Sequence, residues 1–323
     1  MSWSGGYQEW VDGETAYLSV VFTWFLDKAY AQALWHRALG RKVRVGGPAM
    51  FTMKHELADL RDVEVGGDVP DAIARHNPLA TVASRGCPEG CGFCIVTPME
   101  GKEFTLLPNF PVRPILCDNN LSALPPEYQD YIIERYRGHG VQLKDANSGF
   151  EPKTFTEEVY RRWKPLVNEG GGPWRFAYDN MEERDRALRV MRMRRDEPAK
   201  RKRVYVLIGN EPFAECMQRI TETVAEGCEP HVQPEIKLSS HERRPWVKHS
   251  RGWEQEAERR GIVIGPRDQS LTPGEKLLGQ VARWANSWSY RKCTFDEWDP
   301  KRNNSRTRPV YDTDQGLYTE VPA

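Results

Sequence analysis

Ala80-Thr-Val-Ala-Ser-Arg-Gly-Cys87-Pro-Glu-Gly-Cys91-Gly-Phe-Cys94 is the stretch on which the reading of this chain turns. Its first part, residues 80–84, is a short β-branched run. Its second part sets three cysteines into eight positions. Five further strand-like runs follow, at residues 112–117, 141–145, 174–178, 203–208 and 231–236, so a strand begins about every 30 residues. The gaps after the first carry helical patterns. Tyr128, Tyr131, Ile132 and Tyr136 recur with helical period. Thr154 with Glu157, and Thr272 with Glu275, read as capping boxes. Asn180 and Asn210 read as N-caps, and Gly227 as a helix stop. Strands alternating with helices predict right-handed crossovers and a parallel sheet. Six such units are too few for a closed eight-stranded barrel. They suit an open, partial (β/α)6 barrel of TIM-like type or a doubly wound sheet. In both, the functional site lies at the carboxyl ends of the strands.

Ahead of this run, residues 17–24 read as a strand, 27–39 as a helix and 42–45 as a second strand, one βαβ unit. Residues 63–78, with Gly66-Gly67-Asp68-Val69-Pro70, read as a linker. The expected organisation is therefore an N-terminal unit at 1–75, the α/β body at 76–290 and a loose polar tail at 291–323. Within 323 residues, 39% hydrophobic and 28% charged content is that of a globular chain, not a disordered or collagen-like one. Basic and acidic residues balance at 46 each, which argues against a polybasic nucleic-acid or membrane binder. The longest apolar run, residues 17–26, is about half of the roughly 20 residues that a span needs. It also begins too late for a signal peptide. No membrane association and a cytoplasmic location are expected. Seven cysteines, an odd number, point to metal or redox chemistry rather than a disulfide framework.

Three thiolates spaced as Cys87, Cys91 and Cys94 can wrap one small metal centre. A 4Fe-4S cluster usually takes four thiolates; with three, one iron keeps an open position. The alternative is a structural zinc site closed by a fourth thiolate, for which Cys117 is the only obvious candidate. In that case the protein is a zinc-stabilised, non-enzymatic binding protein.

The CxxxCxxC loop after the first strand of a (β/α)6 run resembles the radical S-adenosylmethionine superfamily, over about 210 residues from Ala80 to Asn286. It is most similar to stand-alone members of the branch that includes cobalamin-associated radical enzymes and tRNA methylthiotransferases, members often encoded by phages. The resemblance implies that Cys87, Cys91 and Cys94 hold a 4Fe-4S cluster, and that S-adenosylmethionine chelates the open iron. It implies that one electron, from a donor such as a flavodoxin or ferredoxin, cleaves the cofactor to a 5′-deoxyadenosyl radical that takes hydrogen from substrate. By position in the family's motifs, Asp118, Asn119 and Asn120 would neighbour the methionyl amine. Glu151 and Arg175 would sit near the ribose and carboxylate, with Asp179 ending the fourth strand. Gly209 would let the backbone approach the adenine. No catalytic residue is assigned. A nucleobase or nucleotide substrate is favoured over a peptide. The Asp-x-His-x-x-Gly cobalt-ligand motif is missing, and the N-terminal unit is short, so no cobalamin is expected. With no second cysteine cluster, methylthio transfer has no support.

Two segments stand apart from these motifs. Residues 192–203 carry seven basic and two acidic side chains. They read first as a solvated helix end favourable to the macrodipole, and second as a nucleic-acid patch. Residues 237–273, with Trp246, Trp253, His241 and His249, leave the carboxyl end of the sixth strand and read as a substrate lid or an insertion.

Overall fold

The computed structural model describes residues 3–147, 149–235, 251–266 and 271–299, together with the backbone of 307–312 and 317–322. It is a mixed α/β protein with several small sheets, and among the described residues none of these closes.

The N-terminal unit is larger than one βαβ. Strands β1 (Tyr7–Asp12) and β2 (Thr15–Val20) form an antiparallel hairpin. Helix α1 (Leu26–Ala38) then crosses to β3 (Lys42–Gly46), which lies parallel to β2. After α2 (Pro48–Thr52), β4 (Val63–Val65) adds a fourth strand parallel to β3. The hairpin turns on Gly13, whose φ of +55° favours glycine. The second strand stops at Val20, because the chain at Thr23–Phe25 enters a 3-10 turn with Phe22 stacked on Trp24. The expected linker holds both β4 and the short helix α3 (Ala72–His76). Leu18, Val20, Leu26, Ala33, Val45 and Met50 form the buried core of this unit.

The six expected strands of the body are present and in order. Strands β5 (Ala80–Thr81), β8 (Ile115–Leu116) and β9 (Asp145–Ala146) make one parallel sheet. Strands β10 (Trp174–Tyr178), β11 (Lys202–Ile208) and β12 (Glu229–Pro234) make another. A parallel bridge from Phe150 to Phe176 joins the two. Between β5 and β8 the chain leaves the sheet. It forms β6 (Ser84–Arg85), helix α4 (Val96–Glu100) and β7 (Thr105–Leu106), with β6 and β7 antiparallel. The run 80–84 is therefore a bent strand in two pieces.

The connecting helices are α5 (Pro126–Gly138), α6 (Glu157–Gly170), α7 (Arg184–Met193), α8 (Phe213–Ala225), α9 (Arg251–Arg259) and α10 (Pro273–Asn286). They cover one face of the strands. Leu116, Ala146, Trp174 and Phe176 pack with Ile132, Tyr136, Val159 and Trp163. Tyr178, Val204, Val206, Ile208 and Val232 pack with Leu188, Ile220, Leu277 and Val281. The alternate residues Asp145, Arg175, Tyr205 and His231 share the opposite face, as the strand period of two requires. The side-chain amide of Asn286 donates to Val232 O and accepts from Val232 N, both at 2.8 Å, covering the edge of β12.

Local signals divided. Thr272 and Glu275 form the expected capping box, and Asn180 caps the 3-10 turn leading into α7. Helix α6 is capped by Thr156, not Thr154, whose hydroxyl is engaged by Ser122 and Glu151 O. Asn210 does not cap α8, since its side chain bonds Asp179 O and Arg219. The tail is a correction. Phe295 and Trp298 belong to the core beside Trp284, and the backbone pairs again in the hairpin β13 (Thr307–Asp312) and β14 (Leu317–Pro322). Of the segment 237–273, Trp246, His241 and His249 lie outside the described residues. Trp253 is buried against Phe213 and donates to Glu211 O, so α9 is part of the core. Among the described residues, no helix is long and apolar enough to cross a membrane.

Candidate functional site

The cysteine loop leaves from the end of β6 and is tied shut at its base. Gly86 has φ +88°, and a Cβ there would meet Glu103 O at 2.2 Å, so only glycine fits. Cys87 N donates to Gly101 O, and Cys94 N donates to Cys91 O. The carboxylate of Glu100 clamps the loop. Its Oε1 accepts from Arg85, while its Oε2 accepts from Gly86 N at 2.9 Å and from Asn119 Nδ2 at 2.7 Å. Asn119 is thereby held against the loop base by its contacts to Glu100 and Gly86 O. Asn120 Nδ2 approaches Cys87 Sγ at 4.0 Å, and its Oδ1 accepts from Ala123 N. Glu100 escaped sequence reading because a lone acid six residues after a cysteine cluster has no distinguishing pattern.

Asp118 is a correction. It is 0% exposed, and both of its oxygens are used: Oδ2 accepts from Ala83 N at 2.9 Å and Oδ1 from Ser84 Oγ at 2.6 Å. It is a positioning residue that bends β5 into β6 and aims the cysteine loop, with no oxygen turned to a ligand amine. Burial pushes its carboxyl up to about 6, against the pull of the Ala83 and Ser84 bonds. The sign follows from linkage. The folded state prefers the proton, so this carboxyl's stabilising contribution is full below the unfolded value near 4 and is lost as pH rises through about 6. The expected cost above that window is roughly 3 kcal/mol. Asp118→Asn should flatten this part of the pH profile, as read by urea unfolding of both proteins at pH 5 and pH 7.5. Parallel wild-type and variant profiles would show that the carboxyl does not titrate there.

Arg175 is the second correction. Its guanidinium forms a fork on Asp145, with Nε to Oδ1 at 2.6 Å and Nη2 to Oδ2 at 2.5 Å, and its Nη1 donates to Tyr205 OH at 2.7 Å. It stitches β9, β10 and β11 across the open face of the sheet. These bonds use three of the five guanidinium N–H donors. Burial pushes the thiol of Cys117, which follows β8, up to about 12, reinforced by the charges of Asp118 and Asp145.

The remaining residues do converge. The charge of Cys94 raises the Cys87 thiol, and the charges of both raise the Cys91 thiol. Burial pushes the Cys91 thiol up to about 12, reinforced by the charges of Asp179 and Glu151. Asp179 itself is pushed up to about 7, first by burial and then by Glu183 and Glu151. Glu151, anchored through its backbone N–H to Ser122 Oγ, is raised by burial and by Glu183 and Glu89. The two nearby cations are shared with other partners. Arg219 is bound to Tyr178 O and paired with Glu211, and Lys153 is paired with Glu89. Lys153 and Arg219 offset part of the rise in Glu151 and Asp179 respectively. Gly209 ends β11 with φ +97°, a backbone state that favours glycine. Glu183 was not read from sequence as more than a cap partner. Its oxygens bond Asp179 N and Asn180 Nδ2, holding the loop after β10.

Among the described residues, no group of three or more His, Cys, Asp or Glu converges tightly enough to hold a single metal ion. In a 4Fe-4S cluster each thiolate takes a different iron, so its ligands need not converge on one point. The donor set of three soft thiols on one glycine-bearing loop fits such a cluster. No protein-family model matches the chain, and no curated protein matches it significantly.

Proposed function

We propose that the protein is a radical S-adenosylmethionine enzyme, with Cys87, Cys91 and Cys94 as the cluster ligands. The observation that carries this reading is that the loop after the third strand meets the cysteine loop: Lys153, whose backbone N–H donates to Glu151, pairs at 2.7 Å with Glu89 between Cys87 and Cys91. Glu151 and Asp179, from loops after the third and fourth strands of the parallel series, act on a thiol in the loop after the first. Helices on one face of the strands and a polar opposite face support a partial (β/α)6 barrel over a doubly wound sheet, which has helices on both. When bound, the 4Fe-4S cluster supplies the electron that cleaves S-adenosylmethionine to a 5′-deoxyadenosyl radical.

The chain's own groups then divide as follows. Glu100, Asn119 and Asp118 hold the cysteine loop in place. Glu151 and Asp179 present negative charge to the sulfonium and ammonium of S-adenosylmethionine, which relieves the repulsion that adds to burial in raising both carboxyls. Gly209 leaves room beside the end of β11. The cofactors are one 4Fe-4S cluster and S-adenosylmethionine, without cobalamin. A flavodoxin or ferredoxin supplies electrons, the location is cytoplasmic, and a nucleobase or nucleotide is the favoured substrate class.

Glu151→Gln and Asp179→Asn should keep full iron content after anaerobic reconstitution and bind S-adenosylmethionine about ten- to a hundredfold more weakly, the usual effect of losing one charged hydrogen bond. Titration followed by the cluster's spectrum measures it. Wild-type affinity in both variants would mean that the carboxylates serve the fold and not the cofactor.

A further inference from the structure

The N-terminal unit leaves apolar surface uncovered. Of the ten large hydrophobic side chains exposed among the described residues, seven lie between positions 3 and 39, so the excess is local. Helix α1 carries two apolar stripes. Leu26, Ala29 and Ala33 face the core of the unit. Ala31, Leu34, Trp35, Ala38 and Leu39 recur with the same helical spacing on the outer face, and all five are exposed. Trp24, seven residues ahead of Ala31, falls on that face too and stacks on Phe22 at 4.3 Å. Trp24 and Trp35 are each 58% exposed, Leu39 is 48%, and Leu34 and Phe22 are 41%. The outer face of a surface helix is ordinarily polar. A whole aromatic side chain covers up to about 250 Å², so these groups leave on the order of 500 Å² of apolar surface, as much as the largest patch on a typical monomer, and such patches mark interaction sites.

We propose that this face is a homodimer interface, in which α1 of one copy packs antiparallel on α1 of a second copy about a two-fold axis. Shape, charge and area choose a second copy over a different protein. In shape, the large Trp35 stands four residues after the small Ala31, so antiparallel pairing sets each Trp35 over the other copy's Ala31, as a two-fold contact requires. The same register brings Ala38 and Leu39 against the first turn of the other helix, beside Lys28 and the stacked Phe22 and Trp24. In charge, the face carries Asp27 and Lys28, one of each sign, and the chain's 46 acidic and 46 basic residues cancel. Like-charge repulsion therefore does not oppose self-association. In area, two such faces bury roughly 1,000 Å² from these side chains alone, the size at which specific interfaces begin. The contact lies on the N-terminal unit and is independent of the cluster reading.

Sedimentation velocity of the full chain tests the pairing. Wild-type protein at tens of micromolar should sediment as a dimer. Trp35→Glu, which alters an exposed side chain, should raise the dissociation constant about a hundredfold or more, because both halves of a symmetric contact are lost together. The double variant Ala31→Lys/Trp35→Glu should regain much of the affinity, since the antiparallel register sets each lysine opposite the other copy's glutamate. Val263→Glu, at an exposed position outside α1, should dimerise as the wild type does. An unchanged circular dichroism spectrum in each variant separates lost pairing from lost folding. A monomeric wild type would leave the face to a different protein and overturns the proposal, as does a dimer that Trp35→Glu does not weaken. A dimer weakened by Trp35→Glu but not regained in the double variant overturns the antiparallel register.

Discussion

Alanine at Cys87, Cys91 or Cys94 is expected to abolish iron and labile sulfide, while Cys117→Ala keeps both. Wild-type protein purified without oxygen should be brown and carry about four irons per chain, the content of one 4Fe-4S cluster. The expectation rests on two structural facts. Cys87, Cys91 and Cys94 share one loop closed by Cys87 N to Gly101 O and Cys94 N to Cys91 O, whereas Cys117 follows β8 and is held through its backbone N–H to Thr81 O. Iron, sulfide and zinc analysis of the four variants is sufficient. One zinc per chain, lost in Cys117→Ala, would replace the enzyme reading with the structural-zinc alternative. Loss of iron in Cys117→Ala would show that the open-iron arrangement is wrong.

Arg175→Met is expected to cost about 3–5 kcal/mol of folding stability, the usual effect of removing one partner of a buried ion pair. The variant would leave Asp145 uncompensated and Tyr205 without its donor, and both lie on strands adjacent to β10. Urea unfolding should show the midpoint falling with little change in slope. The double variant Asp145→Asn/Arg175→Met should recover part of the loss, since the stranded charge goes with it. Arg175→Met with unchanged stability and weakened S-adenosylmethionine binding would return the residue to the ligand-binding role that its motif position implies.

Much of the fold was legible because the body repeats one unit. The aromatic run at Trp174–Tyr178 and the β-branched run at Lys202–Ile208 bury alternate residues under helices, and that alternation is written in Trp174, Phe176, Tyr178 and Val204, Val206, Ile208. The Thr272–Glu275 box was legible because it is local and complete. What escaped depends on partners distant in sequence. Thr154 has the chemistry of a cap, but Ser122 claims it from thirty-two residues away. Strand β1 is mixed in polarity and half-buried throughout its first four residues, so its pairing with β2 decides it. The short β4 was hidden among glycines that read as a linker.

The site divides along the same line. Cys87, Cys91 and Cys94 are one local motif, and the loop they sit on is as compact as the spacing implies. Asp118, Glu151, Arg175 and Asp179 were placed by order along the chain, which locates a strand end but not where its side chain points. Two of them, Glu151 and Asp179, lie near enough for their charges to raise the Cys91 thiol. The other two turn to the protein, Asp118 to the Ala83–Ser84 bend and Arg175 to Asp145, because a charge that ends up buried is held by whatever neighbour satisfies it.

The central claim is most directly tested by incubating the anaerobically reconstituted protein with S-adenosylmethionine and dithionite and measuring 5′-deoxyadenosine by liquid chromatography. Wild-type protein should form it, and Cys94→Ala should not. A fully loaded 4Fe-4S protein that binds S-adenosylmethionine yet forms no 5′-deoxyadenosine would contradict the account.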